Sequence, residues 1–170
     1  MQWDPKIGWG LVATVSIFVA GYFIRWALDW LAERRQIRRY YVAMLHEVER
    51  NVEGIEKAVL SFPPLADINS RLAGSASYRP HFISTYSSKI FETNGALLTT
   101  LPSIVANDLI SFYDRLEFIE ANIAAFERKS FEVITQPGRE AAVAALLAHF
   151  RETETFGRGL LSLIKRELKL

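Results

Sequence analysis

The sequence predicts an all-α protein in which a single N-terminal transmembrane helix is followed by an antiparallel helical bundle. An uncharged apolar stretch of 18 residues runs from Ile7 to Ile24, and three later stretches carry apolar residues at helical spacing. No run of alternating apolar and polar residues is typical of a strand. We therefore predict a membrane anchor in residues 1–31 and a cytosolic helical bundle in residues 32–170.

The predicted span has the length and the aromatic flanks of a membrane helix. At 1.5 Å per residue its helix would be about 27 Å long, which is close to the thickness of the hydrocarbon core. The tryptophans expected at the two interfaces are Trp3, Trp9, Trp26 and Trp30. The anchor is expected to be retained, because the residues before it include Asp4 and an Arg-rich helix follows it where a cleavage site would stand.

Arginines follow the span closely and predict its orientation. Only one lysine precedes the span, and the positive-inside rule then places the C-terminal part of the chain in the cytoplasm. We expect the protein to be a single-pass protein of a bacterial inner membrane, with its N-terminus outside the cytoplasm. Four of the arginines share one side of a helix and are candidates for contact with membrane lipid head groups, although they could serve topology alone. They are Arg34, Arg35, Arg38 and Arg39.

Two glycines in the opening stretch raise a choice between a cofactor site and a helix contact. Residues 8–13 fit the G-x-G-x-x-A spacing of a dinucleotide-binding turn, but the seven residues before them cannot form the buried strand that this turn requires. Small residues instead share one face of the predicted helix and would let another membrane helix approach closely. The contact is predicted for Gly10, Ala13, Thr14, Ile17 and Gly21.

The first cytosolic helix is predicted to continue from the membrane to about Leu60. Its apolar residues follow a 4-3-4-3-4 spacing, which places them on one stripe. The stripe consists of Tyr41, Leu45, Val48, Val52, Ile55 and Val59.

Two further long helices are predicted by the same spacing, and prolines open them at Pro102 and Pro137. One stripe comprises Val105, Leu109, Phe112, Leu116, Ile119, Ile123 and Phe126. The other comprises Val143, Leu147, Phe150, Glu154, Gly157, Leu161, Ile164 and Leu168, so one charge and one glycine interrupt it. Two short helices are predicted between the first and second long helices, from Pro64 to Gly74 and from Pro80 to Asn94. Each stripe must be buried on another helix, which favours a bundle.

Catalytic, cofactor and metal motifs are not found in the sequence. The residues three positions before His46, His81 and His149 are not glutamates, so the Glu-x-x-His pairs of di-iron bundles are missing. Residues 162–165 fit S-x-x-K, but no companion motif accompanies them. His46, with Glu49 and Arg50 one turn further along the helix, is interpreted as solvated or salt-bridged. A net charge of +1 argues against a general nucleic-acid binder. No catalytic residue, cofactor or metal is therefore predicted.

Residues 40–125 loosely resemble small uncharacterised bacterial single-pass membrane proteins with a helical cytosolic domain. The resemblance is carried by the order Phe91-x-x-Asn94, then Leu101-Pro102, then Phe112-Tyr113-x-x-Leu116. It implies a fold and a membrane location, and it implies no activity.

Three classes of function are compatible with this sequence. The leading hypothesis is a non-catalytic membrane-anchored interaction protein, an accessory subunit or scaffold of a membrane complex. Its partner would be another membrane protein or a second copy, held through the transmembrane helix. The alternative is a membrane-linked signalling component, or one of stress or antiviral defence. An enzyme with an unrecognised site is the third class.

Overall fold

The computed structural model describes residues 5–82 and 86–168, with side chains from Val15 onward. Five α-helices form these ranges: α1 (Pro5–Ser61), α2 (Leu65–Gly74), α3 (Lys89–Thr93), α4 (Ser103–Phe126) and α5 (Gln136–Leu168). Two short 3-10 segments, Gly95–Thr100 and Lys129–Val133, lie between them. No strand occurs in the described ranges, which confirms the predicted all-α class. The chain divides into two compact units, one ending at Arg39 and the other beginning at Tyr40.

In the first unit, α1 exposes its apolar side chains. Phe18 is 80% exposed and Ile17 is 74% exposed, and the large apolar residues from there to Leu31 are also exposed. The most apolar 18-residue window of the described helix has a mean hydropathy of 1.3, and none of it is buried within the protein. α1 is therefore long and apolar enough to cross a membrane.

In the second unit, the predicted stripes form the core. The stripe on α1 is buried at Leu45, Val48, Val52 and Ile55 and half-buried at Tyr41 and Val59. All members of the α4 stripe are buried except Ile123, which is half-buried. The three long helices thus contribute their apolar faces to one common core, as the spacing predicted.

Surface contacts show the direction of the long helices. Glu49 and Glu56 of α1 pair with Lys165 and Arg158 of α5, so the two helices run antiparallel. On α4, Arg115 lies over Phe156 and Phe118 packs on His149, which makes α4 antiparallel to α5 as well. α1 and α4 therefore run in the same direction. This arrangement requires the long crossover between them that contains α2 and α3.

Gly157 explains one of the two interruptions in the predicted α5 stripe. A Cβ atom at this position would lie 2.5 Å from Cγ2 of Val52 and 2.7 Å from Cε2 of Phe112. The absence of a side chain at Gly157 therefore lets α5 pack closely against Val52 of α1 and Phe112 of α4. The other interruption, Glu154, is only partly buried, and the neighbouring Thr153 takes the buried position instead.

The prediction of a helix from Pro80 to Asn94 was wrong. α3 covers only Lys89–Thr93, and the described residues before it, 80–82 and 86–88, have no helical structure. The side chain of Asn51 bonds both the backbone N–H and the backbone carbonyl of Ser87. The backbone of Ser87 thus obtains its hydrogen bonds from α1, and a local helical turn is not needed to satisfy it.

Arg139, near the start of α5, fastens α2 to the bundle. Its guanidinium is buried and donates to the carbonyl oxygens of Leu72, Ser75 and Ala76 at distances of 2.8–3.2 Å. These carbonyls lie at the C-terminal end of α2, where they lack helical partners and where a positive charge is favoured. The charge therefore holds the crossover against α5.

Candidate functional site

Four arginines follow the exposed apolar part of α1, and all four side chains are exposed. They are Arg34, Arg35, Arg38 and Arg39. Among the described residues, the salt bridges all involve other side chains, so these guanidinium groups have no carboxylate within 4.0 Å. The guanidinium of Arg34 lies 3.9 Å from the ring centre of Trp30. The side chains can therefore reach external anions.

The predicted interface anchors are only partly within the described structure. Trp26 is 59% exposed and Trp30 is 41% exposed, so both rings are free to meet a bilayer interface. Trp3 and Trp9 lie outside the residues whose side chains the structure describes.

The predicted helix-contact stripe is also described in part. Ile17 is exposed, and a Cβ atom added at Gly21 would meet nothing within 4 Å. Gly10, Ala13 and Thr14 lie outside the described side chains. The stripe remains a prediction, and its two described residues, Ile17 and Gly21, are open to contact from another helix.

The second unit contains a buried carboxylate that joins α1 to α4 and to the start of α3. Glu47 is 6% exposed. Its Oε1 accepts hydrogen bonds from the Ser87 hydroxyl at 2.8 Å and from the Ile90 N–H at 3.0 Å. Its Oε2 accepts from the Tyr113 hydroxyl at 2.9 Å and from the Phe91 N–H at 3.1 Å.

This arrangement satisfies a carboxylate that would otherwise be costly to bury. Four donors surround the two oxygens of Glu47, and two of them are backbone N–H groups in the first turn of α3. Hydrogen bonds to an ionised group are among the stronger ones in proteins. Stacking of Phe91 on Tyr113, with ring centres 4.1 Å apart, covers the site from the side. The carboxylate therefore positions α3 on the bundle.

A groove with acidic and aromatic walls opens beside this site. Its volume is about 280 Å³, and its lining comprises Tyr86, Ser88, Phe91, Glu92, Tyr113, Asp114, Glu117 and Glu120. The Tyr86 hydroxyl donates to Oε2 of Glu120 at 2.9 Å. Carboxylates and ring faces together favour positively charged groups over anions. The described residues contain no cluster of His, Cys, Asp and Glu side chains that could hold a metal ion.

A second groove, of about 300 Å³, lies where α2 begins. It is lined by Val59, Phe62, Pro63, Pro64, Leu65, Ala144, Leu147, Ala148 and Arg151. Eight of its nine lining residues are apolar, and Arg151 is the one charged residue among them. Its lining residues include no nucleophile or general base, and they present apolar surface that another molecule could pack against.

Burial raises the pKa of three tyrosines around the Glu47 site. It raises the pKa of Tyr86 to about 12, with help from the hydrogen bond to Glu120, and it raises the pKa of Tyr40 to about 12, with help from the charge on Glu47. Burial and then the Glu47 charge also raise the pKa of Tyr113. All three hydroxyls therefore stay protonated in the folded protein at neutral pH, and those of Tyr86 and Tyr113 donate to the carboxylates of Glu120 and Glu47.

These pKa values predict alkaline destabilisation. The unfolded chain releases tyrosine protons near pH 10, whereas the folded protein holds those of Tyr40 and Tyr86 until about 12. The stabilisation is therefore complete below pH 10 and is lost as the pH rises from 10 to 12. We expect the unfolding midpoint of the full chain in detergent to fall over this range. The fall should be smaller for Tyr86→Phe than for the unmodified protein. An equal fall of the unfolding midpoint with pH in the two proteins would contradict the role assigned to the raised pKa of Tyr86.

Two of the three histidines, His46 and His149, pack against or pair with neighbouring side chains. Nδ1 of His46 lies 3.1 Å from Oε2 of Glu49, in agreement with the sequence interpretation of a solvated or paired side chain. Burial, followed by the charge of Arg115, lowers the pKa of His149. Its ring packs against Phe118 with centres 4.6 Å apart. Neither His46 nor His149 has a serine or a second imidazole within hydrogen-bonding distance in the described residues.

Sequence reasoning missed Glu47, and a signal for it exists. Tyr40, Met44, Glu47 and Asn51 follow a 4-3-4 spacing, and all four are buried. They form a second stripe beside the apolar one, and its polar members occupy core positions. Polar residues on a buried face predict a hydrogen-bonding network, because such groups are rarely left without partners.

Comparisons with family models, with curated proteins and with solved structures find no match for this chain. The resemblance to small bacterial membrane proteins therefore stays a prediction.

Proposed function

We propose that this protein is a non-catalytic membrane-anchored interaction protein that acts as an accessory subunit or scaffold of a membrane complex. The observation that carries the proposal is that one part of α1 is apolar and exposed whereas another part is packed in the bundle core. Up to Leu31 its described large apolar side chains are exposed, and from Tyr40 onward it contributes buried residues to the core of a folded bundle. One continuous helix, Pro5–Ser61, thus contains both an apolar span and a structural part of the bundle.

The proposed topology is single-pass in a bacterial inner membrane, with the N-terminus outside and the bundle in the cytoplasm. The support is the excess of arginine after the span, where four exposed guanidinium groups have no carboxylate partner among the described residues. Translocating these charges would be unfavourable, and they are expected to stay on the cytoplasmic side.

The non-catalytic part of the proposal is supported by the polar groups of the second unit. Glu47, Asn51 and Arg139 are three buried polar residues of the second unit, and each of them joins one segment to another through hydrogen bonds. Asn51 and Arg139 bond backbone atoms of the crossover, and Glu47 bonds both the crossover and the Tyr113 hydroxyl of α4, so this use is structural.

The membrane partner is proposed to contact the small-residue face of α1. Lipid does not drive helices together by the hydrophobic effect, so close backbone approach and packing must supply the association. Gly21 provides open space on the described part of this face, and Gly10 continues it by helical spacing in the sequence.

The decisive experiment is extraction and native purification of the tagged full chain from bacterial membranes. We expect the chain to resist alkaline carbonate extraction, and a cytoplasmic reporter fused after Leu170 to be active. A reporter that is active only outside the cytoplasm would contradict the topology. Recovery of the chain in the soluble fraction would contradict the anchor.

The partner contact is tested in the same purification. In mild detergent we expect either a second copy or an integral membrane protein to accompany the chain, and the double variant Gly10→Leu, Gly21→Leu should lose it. The matched control is Val12→Leu, Val19→Leu, which enlarges the opposite face of the same helix and should retain the partner. Equal retention by both variants would show that the small-residue face does not hold the partner.

A further inference from the structure

The charged residues after the span are segregated around α1. At 100° per residue, the four arginines at positions 34, 35, 38 and 39 occupy an arc of about 140°. Asp29 and Glu33 lie on the opposite side of the helix, about 150–190° from the centre of that arc. The helix therefore presents one strongly basic side that its own carboxylates do not neutralise.

The basic side continues an apolar side. Leu28 and Leu31 fall within the same arc one to two turns earlier, and they are 61% and 43% exposed. Trp30 lies about 40° outside the arc, on the side of Arg34, and contacts the Arg34 guanidinium. Along a single face of α1, exposed apolar side chains thus give way to guanidinium groups, and this is the order of a bilayer from hydrocarbon to phosphate.

The direction and reach of the arginines fit the head-group layer. Side chains on an α-helix lean toward its N-terminus, and in α1 that is the direction of the apolar span. Counted from Trp30 at 1.5 Å per residue, the four Cα positions lie about 6–14 Å further along the helix axis. The potential of an anionic leaflet falls off over about 8 Å at physiological salt, so arginine side chains that lean back lie within it.

We propose that Arg34, Arg35, Arg38 and Arg39 bind the phosphates of anionic phospholipids in the leaflet next to the C-terminal end of the span. The guanidinium fork matches two phosphate oxygens at once, and no carboxylate of the described protein competes for it. The inference rests on the proposed membrane anchor. It adds a lipid class to the partners of this protein and a binding role to residues that would otherwise serve topology alone.

The test uses the full chain with Trp3, Trp9 and Trp26 replaced by phenylalanine, so that Trp30 is the one fluorophore of its kind. The chain is reconstituted in phosphatidylcholine bilayers that contain either brominated phosphatidylglycerol or brominated phosphatidylcholine, and the quenching of Trp30 gives the relative affinity for the two lipids. One basic residue near an anionic surface contributes about 1 kcal/mol, which is about fivefold. We expect a preference of at least about fivefold for the anionic lipid.

Variants separate the arginines from the general charge of the protein. Replacement of the four arginines by glutamine should reduce the preference to about one, and replacement by lysine should retain much of it, because charge remains while the fork is lost. The matched control replaces four exposed arginines of the second unit by glutamine, namely Arg50, Arg71, Arg128 and Arg151. It removes the same charge and should leave the preference unchanged. Circular dichroism checks that each variant keeps its helical content.

Two further comparisons complete the experiment. One distinguishes lipid phosphate from free phosphate as the ligand, and the other distinguishes failure of lipid binding from failure of the membrane anchor. Inorganic phosphate should weaken the preference no more than chloride of equal ionic strength, whereas specific competition would identify free phosphate as the ligand and overturn the proposal. Equal quenching by both lipids, or an unchanged preference in the glutamine variant, would overturn lipid binding and leave the anchor intact. Absence of quenching by either lipid would overturn the anchor and the inference together.

Discussion

Replacement of Glu47 by leucine is expected to lower the free energy of unfolding by about 3–6 kcal/mol, because it leaves several buried donors without an acceptor. The donors are the hydroxyls of Ser87 and Tyr113 and the N–H groups of Ile90 and Phe91. Leucine fills a similar volume, so the loss reflects hydrogen bonding more than packing. Chemical denaturation of the full chain in a mild detergent, followed by the circular dichroism signal, measures it.

Two further variants show whether the carboxylate itself matters. In Glu47→Gln an amide NH₂ replaces one oxygen and would face the N–H of either Ile90 or Phe91, so the loss should be intermediate. The matched control is Glu53→Leu, on the same helix but exposed, and it should change stability by no more than about 0.5 kcal/mol. Similar losses for Glu47→Leu and Glu53→Leu would contradict the role assigned to Glu47.

The long helices could be predicted from the sequence because the physical rule behind them is local. Apolar residues at a 3-and-4 spacing must be buried together, and Pro102 and Pro137 mark the beginnings of α4 and α5. α1 was predicted to extend to about Leu60 and ends at Ser61. The arginines and the exposed apolar stretch were identified in the same way, since charge and hydropathy can be counted without knowing the fold.

The crossover could not be predicted because its structure depends on distant residues. The stretch from Pro80 to Asn94 has apolar residues at helical spacing, yet Asn51 and Glu47, about 40 positions earlier in the chain, supply hydrogen bonds to its backbone. Gly157 is a similar case, since its reason lies in Val52 and Phe112 of two other helices. Such positions interrupt a local pattern, and only the packed structure shows why.

Leu116→Ala is the second variant for which a large loss is expected, about 2–5 kcal/mol in the free energy of unfolding. Leu116 is 1% exposed and lies in the middle of the α4 stripe, with Phe112 and Ile119 of the same stripe fully buried beside it. The substitution removes buried apolar atoms and leaves a cavity. The surrounding helices can fill it only partly, because Gly157 already brings α5 into close contact with Phe112.

The matched control for Leu116→Ala is its neighbour. Glu117 is exposed on the same helix and makes no salt bridge among the described residues, so Glu117→Ala should change the free energy of unfolding by no more than about 0.5 kcal/mol. Thermal and denaturant unfolding of the full chain in detergent should therefore separate the two variants clearly. Equal effects would mean that α4 turns a different face to the core, and the assignment of its buried stripe would fail.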